Sequence, residues 1–171
     1  IMTIAFDHRD QVTQINAAGS ITQMVKDAVG NMISQTDPNA NPATRQTFDG
    51  MDRLNLHIDA IGSSTVYRYD IQDQLVRVNT PNGATTRYQY DDLGNLLSEA
   101  SPDRGLLTYT HDDAGNVLTK IDARGLMVTY RYDALNRLLG VTYPDGQENV
   151  TIVYDVCSQG LGRPCEIHDE S

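Results

Sequence analysis

Two adjacent carboxylate pairs, Asp91–Asp92 and Asp112–Asp113, are the residues of this chain best suited by type to acid–base work or to holding calcium. Four histidines (His8, His57, His111 and His168) and two cysteines (Cys157 and Cys165) complete the reactive inventory. Their spacing argues against each of these chemistries. A calcium loop needs several oxygen ligands at defined positions, and neither pair sits in such a run or in a glycine-rich calcium repeat. The histidines share no interval, and no Ser–His–Asp or Cys–His arrangement has a supporting motif. Two cysteines are too few for a structural zinc site, which takes four ligands. The sequence therefore predicts no catalytic residue, no metal site and no cofactor.

What the carboxylates do share is a phase. Asp70, Asp91, Asp112 and Asp133 stand 21 residues apart, and the series continues to Asp49, Asp27 and Asp7 on one side and to Asp155 on the other. A fixed period of this length marks a repeat architecture. A side chain that recurs once per repeat is first a structural part.

With each of these aspartates as position zero, position −1 is Phe6, Lys26, Phe48, Tyr69, Tyr90, His111, Tyr132 and Tyr154. Position −3 includes Tyr67, Tyr88, Tyr109 and Tyr130, and smaller or polar residues lie between. Alternation with Tyr, Thr and Val enrichment is a strand signal. His111 occupies a tyrosine position, so packing explains it better than ligation. Position +3 is Asp10, Gly30, Asp52, Asp73, Gly94, Gly115 and Asn136, all types that tolerate a left-handed backbone. Position +5 is Val12, Met32, Leu54, Leu75, Leu96, Val117 and Leu138. An aspartate opening a turn that closes at such a residue predicts a type I turn with a G1 bulge. Its carboxylate then accepts from the turn's own amides.

A second turn falls half a period later, at Thr80–Gly83, Ser101–Gly105, Asp122–Gly125 and Tyr143–Gly146. Each repeat is strand, turn, strand, turn, so about sixteen strands are expected. Ile21 to Val29 can be fitted to a helical pattern but keeps the strand phase. The eighth copy breaks the template at Ser158 and Gly160, beside the cysteines. A glycine-rich hairpin there could bring Cys157 and Cys165 within the roughly 7 Å between Cα atoms that a disulfide needs. Two free structural thiols are the other reading.

The 23 acidic residues outnumber the 13 basic ones, for a net charge of −10. That balance disfavours nucleic acid and anionic membranes as partners. No apolar run approaches the roughly 20 residues of a membrane-spanning helix, and no signal peptide is visible. Asn149-Val150-Thr151 matches a glycosylation acceptor and is read as chance. The pattern already runs at Ile4 to Asp7 and still runs at Ser171, so residues 1–171 read as one array, a fragment of a longer one.

The phrase carried by Tyr88, Tyr90, Asp91, Gly94, Asn95 and Leu96 resembles the YD repeat of the Rhs (rearrangement hot spot) family. Tyr130, Tyr132, Asp133, Arg137 and Leu138 follow it closely. The resemblance covers nearly the whole chain and is weakest at Asp27, where Lys26 replaces the aromatic. Similar repeats occur in Tc toxin C components and in teneurins. The resemblance implies an all-β array of about eight 21-residue hairpins in one continuous antiparallel ribbon, wound as a spiral into a hollow shell. In bacterial toxins such a shell encloses a toxic C-terminal segment; in teneurins it belongs to an adhesive ectodomain. The expected role is thus a non-catalytic shell segment of a secreted or cell-surface bacterial protein, partnered by the rest of its shell and an enclosed toxin. The alternative is a cell-surface adhesion module that binds a glycan or a protein. Open ribbon edges also predict self-association.

Overall fold

The computed structural model describes residues 1–38, 42–146 and 149–169. Among the described residues the chain forms sixteen β-strands and no helix. It divides into two compact units, Ile1–Thr85 and Thr86–Ser171.

The strands of the first unit are β1 (Met2–Phe6), β2 (Val12–Ala17), β3 (Ser20–Lys26), β4 (Met32–Thr36), β5 (Thr44–Phe48), β6 (Leu54–Ile58), β7 (Ser64–Tyr69) and β8 (Leu75–Asn79). From β1 to β7, each pairs antiparallel with the next in the chain. The segment with helix-like spacing is strand β3, because its neighbours on both sides satisfy its backbone. The second unit repeats the meander through β9 (Thr85–Tyr90), β10 (Leu96–Ser101), β11 (Gly105–His111), β12 (Val117–Ile121), β13 (Met127–Tyr132), β14 (Leu138–Thr142), β15 (Val150–Tyr154) and β16 (Pro164–Asp169). Here too each strand pairs with its successor.

Register follows the alternation of the sequence. Tyr67 faces Val78 and Tyr69 faces Leu75, while Arg68 and Arg77 pair on the opposite face. Tyr130 faces Val141 and Tyr132 faces Leu138, with Arg131 opposite Gly140. Aromatic and aliphatic side chains thus share one face, and cross-strand pairs of this kind contribute about 0.2–1 kcal/mol each. Each hairpin slips register beside its aspartate turn, as at Arg68/Tyr69 and Arg131/Tyr132. That slip is the G1 bulge.

Each unit is one sheet layer, so burial is thin. Among the described side chains only Leu107 (7% exposed) and Glu99 (8% exposed) are buried, and they are register partners. Tyr88 pairs with Glu99 from the other side. Burial, with the nearby Glu99 charge second, holds the Tyr88 and Tyr109 phenols above their ordinary pKa. The Glu99 carboxylate is paired with the Arg104 guanidinium. Without a second layer, stability comes from repeat against repeat, as in other linear arrays.

Candidate functional site

The repeated aspartates sit on one edge of each unit, and the first seven build the same turn. The aspartate N–H donates to the carbonyl four residues on, and the N–H at +3 donates back to the aspartate carbonyl, as in Asp91/Asn95 (3.0 Å) and Gly94/Asp91 (3.1 Å). The turn therefore requires positive φ at +3, met by Asp10, Asp52, Asp73 and Asn136 as well as by glycine. One carboxylate oxygen accepts the amides at +2 and +4: Leu93 and Asn95 donate to Asp91 Oδ1 at 2.9 and 2.8 Å. Leu135 and Arg137 donate to Asp133 at 2.8 and 3.0 Å.

In five copies the other oxygen is taken by the side chain at +4, a position the sequence reading passed over. It is Gln11, Asn31, Arg53, Gln74, Asn95, Asn116 and Arg137: always an amide or a guanidinium. Asn95 Nδ2 donates to Asp91 Oδ2 at 2.8 Å and Asn116 Nδ2 to Asp112 Oδ2 at 2.9 Å. Four of these side chains then reach the next copy. Asn31 donates to Asp52 (3.1 Å), Arg53 to Asp73 (2.6 Å), Asn116 to Asn136 (2.9 Å) and Arg137 to Asp155 (2.9 Å). Three of these acceptors stand at +3 of the following turn. The donors form a ladder that clips one turn to its successor. The signal was present as an invariant donor class at +4, but no spacing rule states what a donor will meet 20 residues away.

Arginine makes the fullest rungs, one in each unit. The Arg53 guanidinium bonds Asp49 and Asp73 and lies 4.7 Å from the Tyr69 ring centroid. The Tyr69 hydroxyl donates to the Leu54 carbonyl at 3.0 Å, a second link between copies. Arg137 bonds Asp133 and Asp155 and lies 4.3 Å from the Tyr154 ring centroid. The Arg53 side-chain bond lowers the Asp49 pKa to about 2. The Arg137 side chain likewise holds Asp155 below the ordinary carboxylate range, and the two carboxylates raise Arg137.

The eighth turn is a widened version of the rest. Asp155 N–H donates to the Arg163 carbonyl, and Tyr154 faces Pro164 as Tyr132 faces Leu138. Arg163 is thus the +4 residue, with four residues inserted before it. A disulfide between Cys157 and Cys165, with Cα atoms 5.4 Å apart, spans the insertion. A Cβ on Gly160 would stand 2.4 and 2.6 Å from the two sulfurs, so no side chain fits there.

The groups that suggested chemistry are placed by this scheme. Asp91 and Asp112 have both oxygens engaged, while Asp92 and Asp113 project at exposed turn tips. Among the described residues no three His, Cys, Asp or Glu side chains converge on a metal position. His111 faces Val117, its Nδ1 buried without a partner, and His168 contacts Glu166 at 3.1 Å. The Asn149 amide is used locally, accepting from Tyr143 N–H and donating to the Gly146 carbonyl.

The opposite edge is looser. Asp59 and Asp122 build the same carboxylate-capped turn, but Ala18–Gly19 is a two-residue type I′ turn and Thr80 uses its hydroxyl. Open grooves of about 410 and 300 Å³ lie between successive turns there, the larger lined by Lys120, Asp122, Tyr130, Tyr143 and Pro144.

The RHS repeat family matches residues 72–110 and 111–148. No curated protein sequence matches the chain. Among solved structures, TcdB2-TccC3 without its hypervariable C-terminal region aligns with 96% of the chain at a TM-score of 0.73 and 20% identity. The Tc holotoxin pore of Photorhabdus luminescens aligns with 90% at 0.72 and 16% identity, and another TcdB2-TccC3 structure with 99% at 0.58 and 13% identity. The chain spans only 10 to 12% of the length of those chains. Turn, bulge, strand register and these matches agree: the chain has an Rhs/YD-repeat fold like that found in the Tc-toxin TcdB2-TccC3 structures.

Proposed function

We propose that residues 1–171 are one wall segment of a longer Rhs-type β-shell, a non-catalytic part of an exported bacterial protein that encloses a toxin segment. One observation carries this reading: the repeated aspartates are spent on closing their own turns, and Asn31, Arg53, Asn116 and Arg137 on joining copies to each other. A side chain already bonded within its turn and to the next turn builds a wall; it does not present a reacting group. The likeness to TcdB2-TccC3 over 96% of the chain supplies the analogy for what such a wall surrounds. An oxidising destination also suits the Cys157–Cys165 bridge.

The adhesive alternative rests on the groove between Tyr130 and Tyr143, whose rings and Lys120 suit a sugar or an acidic peptide. Electron microscopy of the full-length gene product, with limited proteolysis of its C-terminal region, separates the two. The shell reading expects a closed cavity and a segment protected until the wall is opened. A solid or open particle that binds glycans through the Lys120 groove would replace it with the adhesive one.

A further inference from the structure

One hairpin departs from the polar pairing that its neighbours keep. On the face opposite the tyrosines, the residue two before a repeated aspartate stands across from the residue seven after it. In the fifth and sixth copies these are Gln89 with Ser98 and Thr110 with Thr119, and each pair is hydrogen-bonded, at 2.9 and 2.7 Å. In the seventh, Arg131 lies across from Gly140. In the fourth, between β7 and β8, the pair is Arg68 with Arg77. Among the described strand pairs no other sets two charged residues directly against each other, and here the charges are alike.

Residues so opposed have Cβ atoms about 4.5–5.5 Å apart, where like charges destabilise the sheet. The hairpin does not neutralise them. Both arginines are exposed, and neither forms an ion pair among the described residues. The carboxylates of the same turn are committed elsewhere. Asp70 Oδ1 accepts the Gln72 and Gln74 amides, and Asp73 is bonded to Arg53. Arg77 Nε donates to Asn79 Oδ1 at 2.9 Å, which holds that guanidinium by its inner nitrogen and leaves the outer two for another acceptor.

We propose that Arg68 and Arg77 form a clamp for a phosphoryl group, one doubly charged oxyanion held between two guanidiniums on the polar face of β7–β8. Guanidinium binds such oxygens through parallel N–H donors, and charge-assisted bonds of this kind are about twice as strong as neutral ones. A phosphate monoester carries about −1.5 to −2 at neutral pH, which matches two arginines; a carboxylate supplies a single charge. One phosphoryl group can approach a chain of net charge −10, whereas a long polyanion is repelled. The site needs only this hairpin, so it stands apart from what the wall encloses.

Calorimetric titration of the 171-residue chain with inorganic phosphate tests it. Saturable binding is expected, with a Kd on the order of 1 mM. Arg68→Gln or Arg77→Gln weakens it about tenfold, and Arg131→Gln leaves it unchanged. Tighter binding of a phosphoserine peptide than of phosphate assigns the group to a polypeptide; tighter binding of glucose 6-phosphate assigns it to a sugar. Arg68→Gln with Arg77→Ser rebuilds the Gln89–Ser98 pair. Without phosphate this variant melts about 1–3 °C above the wild type, since a hydrogen-bonded pair replaces a repulsive one, and phosphate no longer raises its melting temperature. The proposal is overturned by titrations that show no saturation, by saturation that both single variants leave intact, or by a double variant that melts below the wild type.

Discussion

The two edges of each unit are made from the same hairpin chemistry and behave as different surfaces. On the aspartate edge, four of the turns are bonded to their successors through the +4 side chain, by Asn31, Arg53, Asn116 and Arg137. On the opposite edge, Arg124 folds back onto its own Asp122, at 2.7 Å and 76% exposed, and grooves open between neighbouring turns. The difference teaches that a good turn does not by itself make a good wall. Asp59 and Asp122 cap their turns as well as Asp91 does, but nothing at +4 reaches onward: Ser63 is too short and Leu126 carries no donor. Aligned turns become a continuous edge only when a donor crosses between them.

The largest effect should come from removing the covalent clip of the last aspartate turn. Cys157→Ala with Cys165→Ala should destabilise β15–β16 by about 2–3 kcal/mol, as expected for a short disulfide loop. Hydrogen exchange localised to those strands is the measurement; equal protection in both forms would mean the turn needs no clip.

A matched glycine pair sharpens the comparison. Gly115 and Gly125 hold the same turn position with φ of 84° and 82°. A Cβ on Gly115 would lie 3.0 Å from Asn95 Oδ1 of the preceding rung, whereas a Cβ on Gly125 meets nothing within 4 Å. Gly125→Ala should cost about 1 kcal/mol of left-handed strain. Gly115→Ala should cost about 2 kcal/mol, since it also displaces the rung. Equal losses in denaturant melts would erase the distinction between the edges.

Next in size is the arginine pair. Arg53→Ala should lower the thermal midpoint by several degrees, while Arg124→Ala should leave it nearly unchanged, because an exposed pair within one turn contributes little. The smallest effect is that of acid. Asp49 has its pKa lowered to about 2 by the Arg53 bond, against an ordinary value of 3.8. A depressed carboxylate adds stability that is present above its unfolded pKa and is lost as pH falls through the folded one. The wild type should therefore lose this contribution between about pH 4 and pH 2. Arg53→Gln should show a shallower acid limb in melts across that window.

Strand number, turn positions and facing residues could be read from the residue order because they depend on neighbours a few positions apart. Tyr67, Tyr69 and Leu75 share a face by simple alternation, and Gly94 or Asn136 announces a left-handed corner. The first-unit turn at Ala18–Gly19 escaped because it uses two residues where the template expects more. The ladder escaped for a deeper reason. Arg53 and Asp73, or Asn116 and Asn136, are 20 residues apart and belong to different copies. Only the return of the chain through two intervening strands, roughly 10 Å of sheet width, sets their turns side by side.

By itself the amino-acid order determined the period, the alternating faces and the turn type, because backbone torsion and side-chain alternation are local properties. The tertiary structure decided which polar side chain meets which. It showed that Asp91 and Asp112, first suspected of chemistry, have both oxygens engaged within their own turns, and that Arg163, shifted four residues by the cystine-bridged insertion, still closes the last turn by accepting the Asp155 N–H at its carbonyl. Those facts depend on contacts between copies, which exist only once the hairpins stand next to one another.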